Sequence, residues 1–300
     1  MPRFQRIREK GFILVIVLVV VAFITALVVE FIYGVHATTS NLKNWTESQR
    51  LSLAAISGVN LASLAIKEQS RLNRYTYPEK VEKPLENIME GFEGKVIVRI
   101  EDEGGRLNLN SLIMRNKRLN SDVYDAFKRL LRILRLDEAI ADRVVDWMDE
   151  DSEPRVRDSE DGAKNSSFDS IDELLLIKGI DRETYDKLIP HITIYGNTDR
   201  MNININTATI PVIMSLSDMM TEEIAGQIVR QRSVKPFEGM DDPNLTAILG
   251  GLKTRLMGRI DVRSSFFHVI SVAEESGMKR LIETYLEMRD DLIVRYWRES

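Results

Sequence analysis

The first quarter of the chain is dominated by one apolar run. Residues 12–29 carry no charge, and Thr25 is their one polar side chain. Eighteen such residues are near the minimum for crossing a bilayer core as a helix. Phe31, Ile32 and Tyr33 follow the charge at Glu30, so the expected membrane segment is 12–33. No proline interrupts the chain between Arg3 and Pro78. Ala54, Gly58, Leu61, Ala62 and Ala65 recur at spacings of three and four, which predicts one helix continuing to about residue 75 with a packing face. Residues 75–84 hold Pro78, Pro84 and several charges and read as a linker.

Period-two alternation follows. Residues 94–102 predict a strand, Gly104 and Gly105 a turn, and residues 106–111 a second strand, together a hairpin. Residues 116–190 read as helical. Val123, Phe127, Leu130, Leu131 and Leu134 form one stripe, and Ile140, Ala141, Val144, Val145 and Met148 another, with a third helix at 171–177. Alternation returns at 191–195 and 201–208, gives way to a second helical segment at about 207–256, and reappears at 266–272 and 292–297. The pattern predicts an α+β fold: a long N-terminal transmembrane helix (12–75) after a short leader (1–11), and an antiparallel sheet domain (76–115 and 191–300) interrupted by an inserted helical subdomain (116–190).

Composition narrows the function. The 300 residues are 44% hydrophobic and 29% charged, with a net charge of -5, which gives no electrostatic grip on nucleic acid. With no cysteine, disulfides and thiolate metal sites are excluded, and three histidines are too few for a His-rich centre. No phosphate loop, nucleophile elbow or His-Glu-x-x-His motif occurs, which favours a structural protein over an enzyme.

The N-terminal charges orient the anchor. Arg3, Arg6, Arg8 and Lys10 against Glu9 place the tail in the cytoplasm and the bulk of the chain across the inner membrane, on the periplasmic side. No small-x-small site closes the apolar run, which favours a retained anchor over a cleaved secretory signal.

Lys10-Gly11 directly before Phe12 resembles the class III signal of type IV pilins and type II secretion pseudopilins. Three further segments extend the likeness: Gly105-Arg-Leu-Asn-Leu-Asn110; Ala141-Asp-Arg-Val-Val-Asp-Trp-Met-Asp-Glu-Asp-Ser-Glu-Pro-Arg155; and Asn202-Ile-Asn-Ile-Asn-Thr-Ala208. In this order they resemble the K-type minor pseudopilin of type II secretion (general secretion pathway protein K), as does Val262-Arg-Ser-Ser-Phe-Phe267. The resemblance implies a pilin-like sheet with a helical insertion. It implies cleavage by a prepilin peptidase between Gly11 and Phe12, and N-methylation of Phe12. It further implies a tip complex with the I- and J-type minor pseudopilins above the major pseudopilin, assembled on an inner-membrane platform, supporting export of folded proteins through an outer-membrane secretin. The fifth mature position is Ile16 where the family ordinarily has glutamate, which fits a subunit with no neighbour above it to neutralise a buried carboxylate. The tyrosines common after the acidic Asp-Trp motif are missing, with Phe168 in one such place.

Asp146, Asp149, Asp151 and Glu153 fall within eight residues and offer hard oxygen ligands suited to calcium, without the glycine and glutamate of an EF-hand loop. Bound calcium is also implied by the resemblance. The alternative is a solvated acidic helix end paired with Arg155 or Arg157. Trp147, one residue off the apolar stripe, reads as a packing anchor. Leu42 and Trp45 are candidate contacts either for sister subunits or for this protein's own sheet, and a bulky residue at Ala62 is expected to impair assembly without unfolding the domain. A rival reading comes from residues 171–181, which resemble half of a helix-hairpin-helix unit, with a degenerate second half at 207–225. That is the plan of a membrane-anchored DNA receptor. Asp172, Glu173, Asp181 and Glu183 oppose it, since carboxylates repel phosphate.

Overall fold

The computed structural model describes residues 3–77, 83–85, 88, 92–151, 153–157 and 159–300. Of the expected linker, residues 78–82 lie outside that set. The chain begins with a single helix, α1 (Arg3–Leu72), of 70 residues. It is followed by β1 (Lys83–Leu85), β2 (Lys95–Asp102), β3 (Leu107–Asn108), α2 (Ser121–Ile133), α3 (Ala139–Met148), α4 (Arg182–Leu188), β4 (Ile192–Thr193) and β5 (Ile203–Asn204). Then come α5 (Ile210–Ser215), α6 (Glu222–Val234), α7 (Pro243–Leu249), α8 (Leu252–Leu256), β6 (Ile260–Asp261), β7 (Phe266–Glu275), β8 (Met278–Met288) and β9 (Leu292–Glu299).

The main sheet has the order β1-β2-β7-β8-β9, antiparallel throughout. The second half of α1 lies across β2, β7 and β8. The apolar residues 12–29 of the first half bury nothing against the rest of the protein, as a lipid-facing anchor requires. The packing stripe of α1 is Leu51, Ala54, Ala55, Gly58, Val59, Ala62 and Ile66, set against Val96, Val98, Val269, Ala273 and Ile282. This corrects the expected face, since Leu61 and Ala65 point to solvent. The true stripe follows the 3.6-residue period by advancing through both members of adjacent pairs. Gly58 sets the helix-to-sheet spacing: a Cβ there would lie 2.3 Å from Ser271 Oγ and 2.8 Å from Val96 Cγ1. Ala62 is also buried against the sheet, at 3% exposure, so a bulky residue there strains the domain itself and the expectation of an assembly-only effect fails.

β2 pairs with β7 from Lys95↔Glu274 to Asp102↔Phe267, so the whole of 103–265 is an excursion between two neighbouring strands. The insert is thus longer than the 116–190 read from the sequence. The predicted hairpin at Gly104-Gly105 is absent. Glu103–Gly105 forms a 3-10 turn capped by Asp102, and the chain leaves the sheet. The alternating segments at 106–111, 191–195 and 201–208 are not strands of the main sheet either. Leu107–Asn108 pairs in parallel with Ile192–Thr193, and Ile203–Asn204 with Ile260–Asp261.

Those two parallel bridges reveal an internal repeat. In the first unit, Asn108 Oδ1 accepts from the Asn110 N–H, and Asn110 brackets Phe168 by accepting from its N–H and donating to its carbonyl. In the second, Asn204 Oδ1 accepts from the Asn206 N–H, and Asn206 brackets Phe237 in the same two ways, each at 2.9 Å. Each unit thus begins on an Asn-x-Asn corner, holds its own helices, and closes on a parallel bridge. The units share one core: Phe127, Leu130 and Val144 of the first belong to the same cluster as Val212, Ile228 and Phe237 of the second. That core is separate from the α1–sheet core.

Candidate functional site

The acidic loop follows directly from α3. The helix buries Ile140, Ala141, Val144, Val145 and Met148, which carries Asp146 and Trp147 inward as well. Asp146 is fully buried. Its Oδ2 accepts from the Arg155 N–H at 2.8 Å and from the Ser159 hydroxyl. These two bonds fold the loop back on the helix end and bring Glu160 in. One carboxylate oxygen each from Asp146, Asp149 and Glu160 then lies within 4.8 Å of the others.

Of the four residues expected to ligate, the structure brings Asp146 and Asp149 together and leaves the other two out. Asp151 and Glu153 are exposed, and Asp151 Oδ1 instead accepts from the Glu153 N–H at 2.9 Å. An alternating Asp-x-Asp-x-Glu run converges only if the turn stays tight, and here Asp151 closes its own local turn and faces solvent. Glu160, fourteen residues beyond Asp146, takes the third place. Its only sequence signal is its carboxylate.

Electrostatically the cluster is acid-rich among the described residues. Asp146 Oδ1, Asp149 Oδ1 and Glu160 Oε1 are buried without a hydrogen-bond partner. Burial, then the charges of Asp151 and Asp146, push the Asp149 pKa up against the opposing pull of Arg155. Burial and the same three aspartates push Glu160 up. Of the expected ion pairs, that of Arg155 with Asp149 is present but loose, Nη2 standing 3.7 Å from Asp149 Oδ2; Arg155 Nε also stands 3.3 Å from Asp146 Oδ1, without hydrogen-bond geometry. Among the described residues, the Arg155 guanidinium faces three carboxylates with three orphaned oxygens. A hard divalent cation of calcium's type fits that donor set, because it accepts irregular all-oxygen coordination and removes the cost of unpaired buried acceptors. Trp147 is 8% exposed and belongs to the insert core, a packing anchor.

A second convergence, Glu101, Glu103 and His268, is already neutralised. Arg106 donates to Glu103 Oε1 and Glu101 Oε2, both at 2.7 Å, and His268 Nε2 lies 3.0 Å from Glu283. The hairpin at 171–188 likewise spends its acids locally. Ser170 and Glu173 form a capping box, Asp181 caps α4, and Tyr185 donates to Asp172. Over 171–188 five acids stand against three bases, so the segment has no net positive charge to offer a phosphate.

The neck of the insert is the other built feature. Asp102 Oδ2 accepts from Asn204 Nδ2 at 2.7 Å and from Thr207 Oγ1 at 2.6 Å, while Oδ1 accepts from the Gly104 N–H. Asn204 Nδ2 also donates to the Thr76 carbonyl, and the Thr76 N–H donates to the Val262 carbonyl. The segment just after the long helix, the last residue of β2 and the second repeat thus meet at one hydrogen-bonded knot. On α1, N-terminal to the packed stripe, Leu42 and Trp45 are exposed, at 60% and 64%.

Comparison with known proteins fits this architecture. Two models of the family described as type II secretion system protein K match residues 105–197 and 203–263, together just over half the chain. The two matches fall on the two repeats. The chain is 27% identical to type II secretion system protein K of Pseudomonas aeruginosa, over 96% of this chain and 91% of that one. It is 28% identical to the protein of the same name from Dickeya chrysanthemi, over 39% of this chain and 36% of that one. Among solved structures it resembles a chain of the GspK–GspI–GspJ complex from the enterotoxigenic Escherichia coli type 2 secretion system. The TM-score is 0.70 at 21% identity, over 87% of this chain and 99% of that one, a likeness of fold. These relatives lend no support to the nucleic-acid reading.

Proposed function

Since this chain belongs to the type II secretion system protein K family, we propose that it is the K-type minor pseudopilin at the tip of a secretion pseudopilus, a structural subunit that performs no chemistry. The observation that carries this reading is the insert. A pilin-like body, an anchor helix lying on an antiparallel sheet, carries a two-repeat helical module on a hydrogen-bonded neck. A subunit so enlarged suits the end of a filament better than its repeating shaft. The anchor holds it in the inner membrane with the basic tail inside and the sheet and insert in the periplasm. Prepilin peptidase cuts between Gly11 and Phe12, and the new Phe12 amine is methylated.

Its partners are the I- and J-type minor pseudopilins. A GspK–GspI–GspJ complex is known for the solved relative, and the exposed Leu42 and Trp45 of α1 give this chain unsatisfied apolar surface at the level where helices of sister subunits would run. The major pseudopilin and the inner-membrane platform follow in assembly. Calcium, held by Asp146, Asp149 and Glu160, stiffens the loop at the end of α3. Three orphaned carboxylate oxygens support that ligand set. The test is co-expression of the full chain with its I- and J-type partners, followed by detergent extraction and affinity capture on a C-terminal tag. A 1:1:1 complex is expected, and capture of the K-type chain alone overturns the assignment.

A further inference from the structure

Between the insert and the outer face of the sheet lies an open cleft of about 820 Å3, in the size range of binding sites rather than packing defects. Its floor includes Glu287, Arg295 and Tyr296 of β8 and β9, and its walls come from the neck and from both repeats. Each carboxylate in it is already matched. Glu103 accepts from Arg106, Glu287 is paired with Arg289 and Arg295, Asp169 is paired with Lys164, and Asp261 Oδ1 accepts from the Val262 and Arg263 N–H groups. Arg115 is matched in turn by Asp199. Two cations remain. Arg200 and Arg263 line the cleft, are exposed, and their guanidinium groups have no hydrogen-bond or ion-pair partner among the described residues. On a chain of net charge -5, this is a local cationic surplus inside a concave site.

The cleft also adjoins a strand with nothing beside it. β9 ends the sheet, and no strand pairs with its outer edge among the described residues. The opposite edge is blunted by the three-residue β1 with Pro84, whereas β9 runs eight residues and exposes Val294 and Trp297. A cleft with unmatched guanidinium groups beside open backbone donors and acceptors suits a polypeptide better than a small anion.

We propose that this cleft binds an acidic, extended segment of a partner protein, its carboxylates set against Arg200 and Arg263. The surface is separate from the α1 face and does not depend on the subunit contacts proposed above. The test uses the full chain in detergent micelles and a fluorescein-labelled peptide, Gly-Glu-Asp-Leu-Glu-Asp-Gly, followed by anisotropy. Binding is expected, weakening at least 10-fold in the R200E/R263E variant and falling with added salt. R118E, an exposed arginine outside the cleft, serves as the control and should bind as the wild type does. Loss in R118E equal to that in R200E/R263E, equal binding of a Lys-substituted peptide, or full competition by millimolar citrate would overturn the proposal, the last by showing a small-anion site instead. An unchanged thermal melt of R200E/R263E separates loss of the site from loss of the fold.

Discussion

Gly58 of α1 and Ser271 of β7 approach so closely that a Cβ on the glycine would stand 2.3 Å from the serine Oγ. The distance between the anchor helix and the sheet is therefore fixed by the absence of one side chain. Ser271 Oγ is itself buried without a partner. Replacing Gly58 with Ala gains about 1 kcal/mol of helix propensity but forces overpacking that costs roughly 1–3 kcal/mol. Gly58→Ala is expected to lower the melting temperature, and Gly58→Leu to lower it further. Combining Gly58→Ala with Ser271→Ala should recover part of the loss, because the two sites are in contact. Strictly additive effects in a double-mutant cycle would contradict this account of the spacing.

The Asn corners make the insert's stability depend on two small side chains. Asn206→Ala removes the partners of both the Phe237 N–H and its carbonyl in a buried setting. Each orphaned group costs about 1–3 kcal/mol, so a loss of roughly 2–6 kcal/mol is expected in urea denaturation. Asn110→Ala should behave alike, since it also brackets Phe168 and donates to the Ile194 carbonyl. A variant indistinguishable from wild type at either position would show that the repeats are held by their shared core alone.

The acidic cluster makes stability depend on pH and cation together. The raised pKa values of Asp149 and Glu160 mean the folded chain binds their protons more tightly than the unfolded chain does. Without a divalent cation, the contribution of these two groups to stability is therefore fully present at low pH and is lost as pH rises through the carboxylate range and the raised values above it. Calcium, binding the ionised form, should cancel that fall and raise the melting temperature at neutral pH. The gain is about 2.7 kcal/mol at a hundredfold excess over Kd. Melts in chelator and in millimolar calcium between pH 4 and 8 check this, with Asp146→Asn expected to abolish the calcium response. Superimposable curves would remove the site.

Much of this was legible in the sequence because the signal was local. The apolar run at 12–29, the stripes of α2 and α3 and the strands β2, β7 and β9 announce themselves by period. The ordered motifs around Asn108, Asp146 and Asn204 carried the family. What escaped depends on distant chain. β8 places Ile282, Thr284 and Leu286 toward α1, but on the opposite face Tyr285 stacks on Tyr195 of the insert, Glu283 is paired with His268 and Arg298, and Glu287 with Arg289 and Arg295, so alternation no longer separates inside from outside. The residues around Asn108 and Asn204 alternate like strands yet turn after two residues, because each asparagine side chain bonds the backbone two positions on. Glu160 joins Asp146 only because Arg155 and Ser159 fold the loop back. Leu-Asn-Leu-Asn and Ile-Asn-Ile-Asn stand in the sequence as two separate motifs, and they emerge as a repeat only once both corners are seen to grip a phenylalanine backbone.

The central claim, a retained pseudopilin anchor, is most directly tested at the N-terminus. The full chain would be co-expressed with a prepilin peptidase, extracted from membranes and weighed intact, then sequenced from its first residue. A chain beginning at N-methylated Phe12 is predicted. An intact Met1, or a cut beyond residue 30, would contradict it.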